Sequence, residues 1–423
     1  MKNNILRILD VSIPAVAALT ICASLFYPPY ASQALAFVYK SALLAAGLLF
    51  IIRRGLSKEA AAKTPLDVPL FLILCWTAVS ALFSISRTAS LFSTASFALF
   101  ILVYYLVFNY AEKFYKIFLY LLTAAASLIC LYGLYQYFFG FNDTLNYLYS
   151  HNMGNMTAVV ERLKSGRIFS TFIYPDAFAG FLILIIPITA GLALSEKKYR
   201  LPMLAAAALM IINLFLTKSI GAFISLVAAF FLTLFFIKNI PFKKFIPAFI
   251  LTAAAGTVLL FALFKMRGTG VFAAEMHQKM AAYLKMFYII KKYPVFGSGP
   301  GTFEIIYNSN PADIWNHLKY AHNFILQTAV ETGLAGLGLL LAAIAAGYAA
   351  IARNISSMEW PGKITAFSIL CGITAFIIHN LADFDVYNFE LGLLFTAMTA
   401  VLMRLISLPQ RKYDGAGGDK GSA

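Results

Sequence analysis

Charge is scarce in this sequence. Only 12% of its 423 residues are Asp, Glu, Lys or Arg, 61% are hydrophobic, and the mean hydropathy is +0.80. A soluble domain of this length could not cover its exterior with so few polar side chains. The natural solvent for such a chain is a lipid bilayer, and apolar runs near the spanning length of ~20 residues recur along it. The runs are solid blocks without alternation, which excludes a spanning barrel and leaves helices. Cysteine is rare: Cys22, Cys75, Cys130 and Cys371 stand far apart inside apolar runs, without CxxC or metal-ligand spacing. They read as small packing residues. No internal repeat, coiled-coil heptad or GxxxxGK[ST] loop occurs, and lack of the last excludes a P-loop nucleotide motor.

Acidic residues are few as well, 18 against 33 basic ones, for a net charge of +15. In a soluble protein this excess would suggest nucleic acid; in a membrane chain the positive-inside rule comes first. Twelve spans are expected, at roughly 11–28, 34–53, 69–86, 91–110, 117–139, 171–195, 201–217, 219–237, 245–264, 322–352, 364–383 and 388–408. Alternate loops then place twenty of the 33 basic residues on one face, from Lys2 and Arg7 to Arg411, Lys412 and Lys420. That face is expected to be cytoplasmic, with both termini inside. No small-residue cleavage site follows "MKNNILR", so the first helix reads as uncleaved. The membrane part is taken as 1–410, and the Gly-rich tail 411–423 as disordered.

The other thirteen basic residues carry the functional signal. Lys40, within the second span, either snorkels or lines a cavity. Twelve are expected outside, in the long loops 140–170 and 265–321 and the short turns at Arg87 and Lys218. They suit either an anionic ligand such as a lipid-linked phosphate or a solvated loop surface. A nucleic-acid partner is not expected.

The outer loops hold polar residues in patterns. "EMHQKMAAYLKMFYIIKK" sets Met276, Met280, Tyr283, Phe287 and Ile290 at helical spacing, an apolar stripe for the membrane surface with Lys279 at its flank. "YPVFGSGPGTF" alternates Gly297, Gly299 and Gly301, which fits a chain reversal or a backbone cradle for phosphate. "YAHNFILQTAVETGLAGLG" places His322 at the first turn of the tenth span, with Asn323, Gln327 and Glu331 forming a polar stripe beneath it. Such a stripe must face a cavity or a partner helix, and a histidine at the water-lipid boundary suits proton transfer or capping. "GRIFSTFIYPDAFAGF" sets Arg167 just outside the membrane and Asp176 one to two turns inside. The guanidinium suits a bidentate phosphate contact, or a pair with Asp176 or Glu161. In "HNLADFDVYNF", His379 and Asp383 share a helix face that could bind a divalent metal, but no third ligand is evident on that face.

Together, "YPVFGSGPGTF", "AHNFILQTAVETGLAGL", "GRIFSTFIYPDAFAGF" and "LTKSIGAF" resemble the O-antigen ligase and O-antigen polymerase superfamily. Its pattern of His, then Asn, Ser or Gln, nine residues, Gly, two residues and Gly is met by His322-Asn323 and Gly333-x-x-Gly336. The resemblance covers most of 70–400. It implies a GT-C-like bundle in the bacterial inner membrane acting at the periplasmic face as an inverting, metal-independent glycosyltransferase without cofactor. The implied donor is a glycan on undecaprenyl pyrophosphate, and the acceptor a lipid such as lipid A-core, or another glycan. Polymerase and protein O-oligosaccharyltransferase are the alternatives within the superfamily; a lipid-glycan flippase or transporter is the alternative outside it. The resemblance implies His322 as general base, Arg167 and neighbouring cations as diphosphate ligands, and no metal. The candidate binding set is Arg167, Lys279, Lys218, Asn323, Gln327, Asp176, Gly299 and Gly301. Two departures stand out. The family's "SRG" reads Ser219-Ile220-Gly221 here, and an arginine before the loop proline is Lys279, which lacks the bidentate fork. Lys218, two residues from Ile220, would point elsewhere on a continuing helix.

Overall fold

The computed structural model describes residues 2–29, 32–151, 153, 156–236, 265, 269–309 and 317–408. Among them the protein is all α-helical, without a strand. In chain order the helices are α1 (Lys2–Phe26), α2 (Gln33–Ser57), α3 (Asp67–Leu82), α4 (Arg87–Tyr135), α5 (Phe141–Ser150), α6 (Thr157–Lys164) and α7 (Pro175–Ser195). Then follow α8 (Arg200–Leu216), α9 (Ile220–Leu234), α10 (Thr269–Lys292), α11 (Phe303–Tyr307), α12 (Phe324–Asn354), α13 (Trp360–His379) and α14 (Phe389–Ser407).

Among the described residues eight helical runs are long and apolar enough to cross a membrane, so this is a polytopic membrane protein. The expected count of twelve is not reached among the described residues. Helix α4 takes in both the fourth and the fifth expected spans, while α3 and α9 are shorter apolar helices. The expected span 245–264 and the tail 411–423 lie outside the described residues. Loop 140–170 is partly helical, as α5 and α6.

Helix α7 is the centre of the bundle. Leu182, Ile183, Leu184 and Ile185 follow one another without exposure, so this helix is apolar all round. Helix α13 lies against it, with Gly372 facing the Leu184 carbonyl and Gly191 facing Ser368. Small residues at such a contact let two backbones approach where lipid supplies no hydrophobic drive.

Helix α12 is broken at Gly333, whose φ of 72° and ψ of −179° interrupt the helical path. A broken helix in hydrocarbon leaves carbonyls that cost several kcal/mol each if unpaired. The segment 294–299 fills the break. Ser298 N–H donates to Val330 O at 2.8 Å, Gly299 N–H to Glu331 O at 2.9 Å, and Leu334 N–H to Pro294 O at 2.8 Å. From α3, Trp76 Nε1 donates to Thr332 O at 2.9 Å and Ser80 Oγ to Phe296 O at 2.7 Å. The alternating glycines of "GSGPG" therefore serve a chain reversal, as one of the two sequence readings has it.

The packed face of α10 only partly overlaps the stripe expected from its sequence: Tyr283 and Ile290 rest against it. Ala282, Met286 and Ile289 are buried against Phe303, Tyr307, Ala321 and Val330. Met280 and Phe287 of the expected stripe stay exposed, beside Leu284 and Tyr288. The small α11 and the start of α12 choose the buried face, which the periodicity of α10 alone does not specify.

Candidate active site

A cavity of about 1550 Å³ opens at one end of the bundle, where α7, α9 and α14 begin and α13 ends. Its lining brings together His322, Arg167, Lys218, Lys279 and Asp176 from four separate stretches of chain.

His322 does not sit in the first turn of α12, as the sequence suggests. It precedes the helix with φ of +50°, a left-handed conformation uncommon outside glycine, though histidine enters it more readily than most residues. Four hydrogen bonds hold it and the two residues after it. Tyr283 Oη of α10 donates to its carbonyl at 3.1 Å. Asn323 caps α12, accepting from Leu326 N–H at 3.0 Å, while its Nδ2 donates to Leu381 O at 2.8 Å. Phe324 N–H donates to Asn380 O at 3.0 Å. The imidazole meets Phe384 edge-on, with 4.7 Å between ring centroids, and its Nδ1 lies 3.8 Å from Asp383 Oδ1. It remains one-third exposed, toward the cavity.

Arg167 is oriented by its neighbours. Its Nη2 donates to both oxygens of Asp176, at 2.8 and 2.9 Å, and its Nε to Thr217 O at 2.8 Å. Asp176, in the first turn of α7 behind Pro175, also accepts from Ser219 Oγ at 2.7 Å. The pairing with Asp176, one of the two roles considered for this arginine, is thus present and fixes the plane of its guanidinium.

Lys218 is a correction to the sequence reading. The chain does not continue as a helix from α8 to α9; it turns at 217–219, and Lys218 takes φ of +53°. The turn sends its ammonium to Ser165 O at 2.8 Å, on the wall of the cavity. Burial, with Arg167 beside it, holds this ammonium below the usual lysine range. Lys279 donates to Ala382 O at 2.6 Å, also on the wall. Lys40 lines the cavity too and donates to Ser96 Oγ at 3.3 Å, which fits the second of its two readings. Tyr320 stacks on Phe384 and Tyr387, and burial pushes its hydroxyl up to about 12.

Four expected binding residues do not line this cavity. Gly301 N–H donates to Glu331 Oε2 at 2.9 Å, and the Gly299 N–H is taken by the Glu331 carbonyl, so neither amide is turned to a ligand. Gln327 accepts from Ala321 N–H at 3.0 Å and donates to Glu331 Oε1 at 3.2 Å. Asn323 is the cap described above. The lower part of the α12 stripe thus turns to the glycine loop, with Glu331 accepting from Gly301 and Phe303 and Gln327 supporting it.

The loop 380–388 adds residues that no expected binding set contained. Asn380 Oδ1 accepts from Val386 N–H at 2.8 Å and shapes the loop. Asp383 is not on the helix of His379, since α13 ends there, but the loop returns it to within 3.9 Å of His379 Nε2. Asp385 Oδ2 comes to 3.4 Å of the same nitrogen, supplying the third group that the helix face lacked. Burial and the charge of Asp383 push the Asp385 carboxyl up. Two aspartates in a strongly apolar chain were the available signal; their convergence on His379 was not.

Residues 205–341 match the family model described as O-antigen ligase, which supports the O-antigen ligase superfamily. The match includes His322, Asn323, Lys218 and Lys279; Arg167, Asp176 and the 379–385 group lie outside it. A search of curated proteins found no match.

Proposed function

With the O-antigen ligase superfamily as premise, we propose that the protein transfers a glycan from undecaprenyl pyrophosphate to an acceptor hydroxyl at the periplasmic face of the bacterial inner membrane. The acceptor that fits best is a lipid such as lipid A-core, given the compact His322 motif and the one long loop before it. Polymerisation and protein O-glycosylation use the same chemistry with another hydroxyl.

The observation that carries this reading is the convergence of His322 with Arg167, Lys218 and Lys279 on one large cavity. In the displacement, the acceptor oxygen attacks the anomeric carbon as His322 takes its proton. The bond from that carbon to the diphosphate oxygen breaks on the opposite side, which inverts the centre. Negative charge grows on the departing lipid diphosphate, and fixed cations stabilise it more in the transition state than in the ground state. Arg167 is held ready by Asp176 and Ser219; Lys218 and Lys279 exchange a carbonyl for a phosphate oxygen. These bond changes require no metal. Both termini are then cytoplasmic, in agreement with the distribution of basic residues.

The test is purified protein with a synthetic undecaprenyl-diphosphate glycan and candidate acceptors. His322→Ala is expected to lower transfer by about 10²–10⁴. Wild-type transfer by both His322→Ala and Arg167→Ala would overturn the assignment. Movement of the donor across the bilayer with no new glycosidic bond would favour a flippase.

A further inference from the structure

One group of side chains at the cavity takes no part in that displacement. His379 closes α13, and Asp383 and Asp385 follow in the loop to α14. His379 is 3% exposed and Asp385 1%. Neither imidazole nitrogen and neither Asp385 oxygen has a hydrogen-bond partner, although Nε2 and Oδ2 stand 3.4 Å apart. Buried polar atoms are ordinarily satisfied, and a buried carboxylate pair without compensating charge is costly. The helices packed against the group present glycines to it. Gly180 of α7 faces the Asp385 carboxylate, which any side chain there would strike. Gly221 of α9 faces His379, where a Cβ would stand 3.6 Å from Nδ1.

A proton on His379 would offset one of the two carboxylate charges. A divalent cation held by Nε2 and one oxygen of each aspartate offsets both. One neutral imidazole and two carboxylates form a familiar donor combination for a first-row divalent ion. Ligand atoms about 2.0–2.2 Å from one ion stand roughly 3–4 Å from each other. The distances from His379 Nε2 to Asp385 and Asp383 are 3.4 and 3.9 Å, and all three donors lie within 4.8 Å of one another. Asp383 also faces His322, its other oxygen 3.8 Å from Nδ1.

We propose that His379, Asp383 and Asp385 bind a divalent cation of the Mn²⁺ or Zn²⁺ type, which neutralises the two aspartates and fixes Asp383 beside His322. The cation is a positioning element: it makes no bond to the sugar or the diphosphate. The site stands independently of the transfer reading, because its test needs neither donor nor acceptor.

Metal-stripped full-length protein is titrated with Mn²⁺, and the loss of the free-ion electron paramagnetic signal is followed. Wild type is expected to take up one equivalent. Asp385→Asn and His379→Gln are each expected to weaken uptake at least about tenfold, a loss seen even for outer-shell changes at metal sites. Asp383→Asn, on the cavity side of the group, provides a variant less exposed to folding failure, and it too is expected to weaken uptake. Glu196→Gln, far from the group, is expected to bind as wild type does. Less than one equivalent in the wild type overturns the proposal. So does unchanged uptake by monodisperse Asp385→Asn and Asp383→Asn.

Discussion

The two ends of the bundle use the same basic residues in different ways. Helices α2, α7 and α14 all start at the cavity and finish at the opposite end. At that far end basic side chains have acidic partners: Arg53 holds Asp10 at 2.8 Å, Lys116 holds Glu196 at 2.6 Å, and Arg404 holds Glu112. At the cavity end Arg167 is paired with Asp176, but Lys218 and Lys279 rest on backbone carbonyls, and Asp383 and Asp385 gather round His379. A carbonyl orients an ammonium without neutralising it. The far end pairs its charges locally; at the cavity end the two lysines carry no acidic partner among the described residues, as the proposed anionic donor requires.

The sharpest way to break this contrast is at Arg167. Arg167→Ala is expected to lower glycan transfer by about 10²–10³, the loss typical of removing one group that stabilises developing charge. Detergent-solubilised protein should remain monodisperse. If transfer survives, the cavity-end cations are a solvated surface and the two ends do not differ.

A middle-sized effect belongs to the anchor beneath the site. Glu331 accepts from Gly301 N–H, Phe303 N–H and Gln327 Nε2, and it is 8% exposed. Glu331→Gln turns one acceptor into a donor facing donors, at an expected cost of about 1–3 kcal/mol, read as a lowered thermal midpoint. No change would mean that loop 294–303 is held without this carboxylate.

The smallest effect is expected at the far end. Lys116 is more than half exposed, so Lys116→Ala should change stability by no more than about 1 kcal/mol and leave transfer intact. A clear loss of transfer there would erase the distinction. Between these extremes, Lys279→Arg should retain transfer better than Lys279→Ala. The charge is conserved, while the carbonyl contact to Ala382 must be remade.

Much of the site is legible in the sequence. His322, Arg167, Lys218 and Lys279 are polar residues placed where an apolar chain leaves the membrane, and each lines the cavity. The roles of Gln327, Gly299 and Gly301 are not legible there. Their partner is Glu331, and which surface the α12 stripe faces depends on a break at one glycine. The direction of Lys218 is hidden for a similar reason: a residue with positive φ turns the chain aside, and lysine gives no warning of it.

The sequence by itself determined the solvent, the helical class and the basic loops. These follow from hydropathy, spacing and charge, which are additive properties of neighbouring residues. It also set out the His-Asn pair whose amide caps α12. Only the tertiary structure decided that 294–299 would seal the break at Gly333, that α10 would bury its Met286 face, and that two aspartates would return to His379. Each of these is a contact between segments distant in the chain. Its energy comes from satisfying particular polar groups in a medium without water, and no local pattern encodes that.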